Sequence, residues 1–92
     1  MTYRVIFTKK ALDDLEFWQK SGQKKILEKI ATFVDELKVH PTTGTGQVEQ
    51  LKRNLSGYWS RRIDKQNRLV YTIQNDIVIV NVVSIKGHYD DK

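Results

Sequence analysis

Six of the seven residues in Ile77-Val78-Ile79-Val80-Asn81-Val82-Val83 are apolar, and all six are β-branched. A run of this kind suits a central strand covered on both faces, so the rest of the chain must supply its neighbours and its covers. Asn75-Asp76 just before it suits a tight hairpin turn back to Arg68–Gln74. Tyr58–Ile63 and Val48–Leu51 read as two further strands. Tyr3–Phe7, alternating and rich in aromatic and β-branched residues, reads as a short first strand.

Between the first strand and the rest the period changes from two to that of a helix. Thr8 offers a hydroxyl N-cap, and Lys9–Gln19 follows with Leu12, Leu15 and Trp18 at three-residue steps, on one helical face. Ser21-Gly22 ends this helix, with Gly22 free to take the left-handed conformation after the cap. A second helix is expected from about Gln23 to Val39, where Ile26, Ile30, Phe33, Val34 and Leu37 form an amphipathic stripe. Its charges, Lys24, Lys25, Glu28, Lys29, Asp35, Glu36 and Lys38, mix signs as an ordinary solvated face does. Pro41 stops it by disfavouring helical geometry at His40, and His40 itself carries no special chemistry. Pro41–Gln47, PTTGTGQ, is then a loop expected to be mobile. Its GTG precedes no helix, which argues against a phosphate-cradling glycine loop.

The order is β-α-α-β-β-β-β. This is an α+β arrangement, with two N-terminal helices packed on one face of a mostly antiparallel twisted sheet. Residues 1–92 are enough for one domain with one core, and Asp90-Asp91-Lys92 form a short polar tail. With no cysteine there is neither a disulfide frame nor a thiolate metal site, and two histidines are too few for a structural zinc site. No cofactor is expected. MTYRVIF has no signal-peptide pattern, and no apolar run approaches the roughly 20 residues of a membrane span. The expected location is the cytoplasm.

Charge is concentrated in one place. From Gln47 to Arg68, Lys52, Arg53, Arg61, Arg62, Lys65 and Arg68 oppose only Glu49 and Asp64, a net +4 of the chain's formal +5. A pI near 9.6 favours an acidic partner: nucleic acid, an anionic membrane or an acidic protein. Alternation within Tyr58–Ile63 sends Trp59, Arg61 and Ile63 one way and Tyr58, Ser60 and Arg62 the other. The helices should claim Leu69, Tyr71 and Ile73, which leaves Arg68 on the open face with Arg62 as a cross-strand neighbour. Two adjacent guanidiniums suit a phosphate held between them. Surface ion pairs of Arg62 and Arg68 with Asp64 or Glu49 are the open alternative.

Glu49, set among cations, could take the proton from a ribose 2′-hydroxyl, or could simply neutralise its neighbours. His88 titrates near neutrality, and Tyr89 could stack on a base or seal the end of the core. A base, a cation, an acid and a stacking residue suffice together for metal-independent RNA cleavage. The residues by themselves support a basic α+β domain that binds RNA.

Glu49-Gln50-Leu51-Lys52-Arg53-Asn54-Leu55-Ser56-Gly57-Tyr58-Trp59-Ser60-Arg61-Arg62-Ile63, then Asn67-Arg68-Leu69-Val70-Tyr71, then His88-Tyr89, resembles the YoeB (Txe) toxins of the RelE superfamily. Asp13-Asp14 and Trp18-Gln19 in the first helix agree in outline, so the resemblance spans essentially the whole chain. It implies a ribosome-dependent endoribonuclease that cuts mRNA in the A site of the 70S ribosome, without metal, leaving a 2′,3′-cyclic phosphate or 3′-phosphate. It also implies a YefM-like antitoxin partner and a homodimer. By the same resemblance Glu49 is the general base, His88 the general acid, Arg68 the stabiliser of the pentacoordinate phosphate and Tyr89 a positioning residue. Lys52, Arg62 and its neighbour Arg61 are expected to bind phosphates. The sequence departs from the pattern in Ser84–Gly87 and in the tail after Tyr89. A non-catalytic basic domain that binds RNA or the ribosome is the alternative.

Overall fold

The computed structural model describes residues 2–85. Strand β1 (Arg4–Phe7) leads into helix α1 (Lys9–Ser21) and helix α2 (Lys24–Leu37). Then come β2 (Glu49–Gln50), a 3-10 turn (Arg53–Leu55), β3 (Tyr58–Arg62), β4 (Arg68–Gln74) and β5 (Ile77–Ile85). They form one sheet in the order β1-β5-β4-β3-β2. The pairs β2–β3, β3–β4 and β4–β5 are antiparallel, whereas β1 joins β5 in parallel, with Arg4 opposite Ile77 and Phe7 opposite Val80. The long apolar strand thus lies inside the sheet, between β1 and β4. No helix among the described residues is long and apolar enough to cross a membrane.

The helix ends follow the local chemistry. Thr8 Oγ1 accepts from the Ala11 amide at 3.1 Å, and Gly22 sits at φ 73° just past α1. Helix α2 stops at Leu37, two residues short of Val39, with Lys38 as its cap. Both helices pack on one face of the sheet. Trp18, Ile30, Phe33 and Leu37 meet Ile63, Leu69, Tyr71, Val78, Val80 and Val83 in the main core.

Of the expected stripe on α1, Trp18 lies in the core and Leu15 packs against it, but Leu12 falls outside. Ala11, Asp14 and Trp18 are buried, whereas Leu12 is about half exposed. The reason lies in β5. Tyr71 pairs with Val80 but Val70 pairs with Val82, and Arg68 pairs with Ile85, so β5 carries an extra residue at each of two places. These bulges disturb simple alternation: Val82 turns to the face away from the helices and Val83 into the main core. They also leave ladder groups without sheet partners. Asp14 Oδ2 accepts from the Val83 amide at 3.1 Å, Trp18 Nε1 donates to the Val83 carbonyl at 2.7 Å, and Thr8 Oγ1 donates to the Asn81 carbonyl at 3.1 Å. Polar α1 side chains complete the bulged strand, and that requirement decides the helix's rotation.

A second, smaller core lies on the opposite face. Leu51, Val70 and Val82 pack there with Leu55 and Tyr58. The segment from Lys52 to Gly57 folds over that face through two backbone positions with positive φ, Arg53 at 63° and Gly57 at 96°. The face away from the helices is therefore partly covered, and its uncovered part is where the basic residues emerge.

Candidate functional site

Strand register aligns the candidate residues. Glu49 pairs with Ser60, Ser60 with Val70 and Val70 with Val82, giving one row across four strands. The next row holds Arg62, Arg68 and Ile85. Directly opposed residues share a face, so Arg62 and Arg68 lie side by side, as alternation requires. Ser60 lies diagonally between Glu49 and Arg68. Arg68 Nη1 donates to Ser60 Oγ at 3.3 Å and stands 3.8 Å from Glu49 Oε1. The Glu49 side chain is 60% exposed and that of Arg68 is 22% exposed. Carboxylate and guanidinium are close enough to attract, and the carboxylate remains open to solvent. Sequence reasoning left Ser60 without a role, although its alternation with Arg62 already put it on this face.

The small core flanks this pair on the same face of the sheet. Leu51 and Val70 are neighbours in sequence or row of Glu49 and Arg68, and both are buried. Lys52 and Arg53 are exposed where the chain crosses that core. Among the described residues no cluster of three or more His, Cys, Asp or Glu side chains could hold a metal ion.

Arg61 corrects an expectation. Expected among the phosphate-binding residues, it has no exposed surface. Its five N–H groups are all used inside the protein. Nη1 donates to Glu36 Oε1 at 2.6 Å and the Thr45 carbonyl at 3.2 Å. Nη2 donates to the His40 and Thr43 carbonyls at 2.6 and 2.8 Å, and Nε to the Tyr71 hydroxyl at 3.4 Å. The Tyr71 hydroxyl in turn donates to the Pro41 carbonyl at 2.6 Å. Arg61 faces the helices with Trp59 and Ile63, and the carbonyls of the loop after α2 take the place a phosphate would have occupied.

The same contacts correct the expectation of a mobile Pro41–Gln47 loop. Three of its carbonyls and the preceding one at His40 are held by Arg61 and Tyr71. Its Thr45 donates from both backbone amide and hydroxyl to Glu36, each at 2.9 Å. Partial burial pushes the Glu36 carboxyl up, but those bonds from Thr45 and the Arg61 charge outweigh it and hold it below its ordinary value. Gly44 and Gly46 fit where other residues would not. A Cβ at Gly44 would lie 2.5 Å from Glu36 Oε1, and one at Gly46 would lie 2.5 Å from the Phe33 ring. The loop delivers the chain to β2, and so to Glu49.

Asp64 turns inward to the β3–β4 turn, where its Oδ1 accepts from the Gln66 and Asn67 amides at 2.8 Å. It pairs with neither Arg62 nor Arg68. His88 and Tyr89 lie outside the described residues, as do the tail residues 90–92. The described chain reaches Ile85, the cross-strand partner of Arg68.

These features coincide with a known family. The sequence model for the YoeB-like toxin of the bacterial type II toxin–antitoxin system matches residues 7–89. The chain is 36% identical over 86 residues to Toxin YoeB of Escherichia coli strain K12, covering 94% of this chain and 99% of that one. Among solved structures it resembles the YoeB/ParE toxin from Agrobacterium tumefaciens, with a TM-score of 0.81 and 33% identity over 89% of this chain and 96% of the other. It also resembles the toxin in the heterotetrameric YoeB–YefM complex from Staphylococcus aureus, with a TM-score of 0.79 and 30% identity over 91% and 97%. Fold, basic sheet face and nearly full-length sequence likeness agree: this chain belongs to the YoeB-like toxins of bacterial type II toxin–antitoxin systems.

Proposed function

We propose that the chain is a ribosome-dependent mRNA endoribonuclease that blocks translation by cutting the message in the A site. The observation that carries this reading is the approach of the exposed Glu49 carboxylate to Arg68, 3.8 Å apart, with Arg62 directly across from Arg68. One acceptor and two fixed cations on a single sheet face suit attack of a ribose 2′-oxygen on its own phosphate. Glu49 takes the 2′-hydroxyl proton as the O2′–P bond forms. Arg68, oriented by Ser60, stabilises the charge that develops on the equatorial oxygens, while Arg62 and Lys52 hold flanking phosphate oxygens. His88 gives a proton to the departing 5′-oxygen, leaving a 2′,3′-cyclic phosphate that water can open to a 3′-phosphate, and Tyr89 positions the nucleotide. No step calls for a metal.

By likeness to the Staphylococcus aureus toxin, solved as a dimer and in complex with YefM, this chain forms a homodimer and is neutralised by a YefM-like antitoxin. It works on ribosomes in the cytoplasm. Primer extension on ribosome-bound mRNA tests the activity. Wild type gives discrete cuts that Glu49→Ala, Arg68→Ala and His88→Ala each suppress; full activity in all three variants would overturn the mechanism.

The Glu49–Arg68 pair also favours a second reading, in which Glu49 only neutralises a cluster of cations on a non-catalytic ribosome-binding face. That reading predicts ribosome association without any cut message, and the same assay separates the two.

A further inference from the structure

Beyond the Glu49–Arg68 pair, a cavity of about 430 Å³ opens where the end of β3, the loop before β2 and the middle of α2 meet. Its lining includes three cations, Lys29 from α2, Arg62 from β3 and Lys65 from the β3–β4 turn, with Thr45, Gly46, Gln47 and Asp64. Among the described residues none of the three cations has a carboxylate within 4.0 Å. The one acid in the lining, Asp64, is held by neutral donors of the turn and also feels the Lys29 charge, without a contact to it within 4.0 Å. Asp64 accepts from the Gln66 and Asn67 backbone amides and, at both carboxylate oxygens, from Asn67 Nδ2, with four contacts between 2.8 and 3.1 Å. Glu36, on the same helix as Lys29, is likewise committed to Arg61 and Thr45.

Three cations against one carboxylate leave the lining with a net positive charge, which favours a further anion in the cavity. The cavity is also held in shape: Gly46 accepts from the Arg62 amide at 2.6 Å, and the loop behind it is fastened by Arg61. Arg62 belongs to both places, as a wall of this cavity and as the cross-strand partner of Arg68. Arg62 therefore links the Glu49–Arg68 pair to the cavity beside α2.

We propose that the cavity lined by Lys29, Arg62 and Lys65 is a second phosphate subsite, which takes a backbone phosphate of RNA other than the scissile one. The proposal rests on the RNA-directed reading of the Glu49–Arg68 face and extends the bound strand from β4 toward α2. Lys29 is then a binding residue, although it sits on a helix face of mixed charge. A phosphate here fixes the register of the strand and contributes to affinity more than to chemistry.

The test measures binding of a 2′-O-methyl RNA oligonucleotide, which lacks the attacking hydroxyl, and of 70S ribosomes as a function of salt. The proteins are wild type, Lys29→Gln, Lys65→Gln and, as control, Lys25→Gln, an exposed α2 lysine outside the cavity. Each cavity variant is expected to bind several-fold more weakly and to lower the slope of log affinity against log salt by about 0.7, one phosphate contact on a single strand. Lys25→Gln should leave that slope unchanged. A deficit with both ligands assigns the phosphate to the substrate strand, and one with ribosomes alone assigns it to ribosomal RNA; either supports the subsite. Equal slopes for all four proteins, or an equal drop for Lys25→Gln, would overturn it. Primer extension with wild type and Glu49→Ala runs alongside. If wild type binds through the cavity yet cuts nothing, the nuclease reading fails and the subsite stands.

Discussion

Arg61 and Glu36 are joined at 2.6 Å across 25 residues of chain, the arginine with no exposed side-chain surface and the glutamate with 22%. A charge buried this deeply is tolerable because all five guanidinium N–H groups have acceptors and the carboxylate has three donors. What the pair holds is the path of the chain from α2 to β2. Arg61→Met should therefore cost about 3–5 kcal/mol, the usual result of removing one partner of a buried pair. Arg61→Lys, with three donors in place of a planar fork, should recover only part of that. Urea unfolding of the three proteins measures it, and a loss under about 1 kcal/mol for Arg61→Met would mean that the loop does not depend on the pair.

Acid should weaken this same anchor. Burial raises the Glu36 and Asp64 carboxyls, but amide, hydroxyl and cationic donors overcome it and leave both below their ordinary values of 4.5 and 3.8. A carboxyl with a depressed folded value stabilises the folded state fully above its unfolded value. That contribution is lost as pH falls through the folded value. Stability should thus decline as pH drops below about 4.5, and the decline should be shallower in Glu36→Gln and in Asp64→Asn. Urea midpoints measured from about pH 6 to about pH 3 decide it; identical slopes in wild type and both variants would reject the assignment.

Much of this arrangement could be read along the chain, and the exceptions share a cause. Thr8, Gly22 and the stripe on α2 act locally, so their roles follow from spacing. The neighbouring positions of Arg62 and Arg68 follow from period-two alternation and a hairpin. Arg61 was put by the same alternation beside Trp59 and Ile63, yet its charge suggested a phosphate ligand. Only the folded loop supplies the carbonyls that bury it. Leu12 and Asp14 appear exchanged between surface and interior because β5 bulges, and a bulge leaves no mark in an apolar run. The parallel pairing of β1 with β5 joins segments some 70 residues apart, beyond the reach of any local pattern.

Two glycines should respond differently to the same substitution. Gly22 at φ 73° has no atom within 4 Å of an added Cβ, so Gly22→Ala meets only the left-handed backbone penalty, about 1 kcal/mol. Gly46 at φ 89° faces that penalty and a Phe33 ring 2.5 Å from the new carbon. Gly46→Ala should cost about 2–4 kcal/mol. Thermal unfolding of both variants gives the comparison, and equal losses would show that the loop yields around Phe33.

The contact between Ser60 and Arg68 offers the most discriminating test of the proposed chemistry. Ser60 is buried and accepts from Arg68 Nη1 at 3.3 Å, so it orients the guanidinium without reaching the message itself. If Arg68 acts on charge that develops in the transition state, Arg68→Ala should lower kcat by about 10²–10³-fold, with KM changed far less. Ser60→Ala removes one neutral anchor, worth about 0.5–1.5 kcal/mol, so its kcat should fall about 2- to 13-fold. Because Ser60→Ala acts through Arg68, it should add nothing to Arg68→Ala. Single-turnover cleavage of ribosome-bound mRNA by the two single variants and the double variant forms the cycle. Additive losses would mean that Ser60 contributes by some route other than Arg68. A loss confined to KM in Arg68→Ala would make Arg68 a binding residue rather than the stabiliser of the pentacoordinate phosphate.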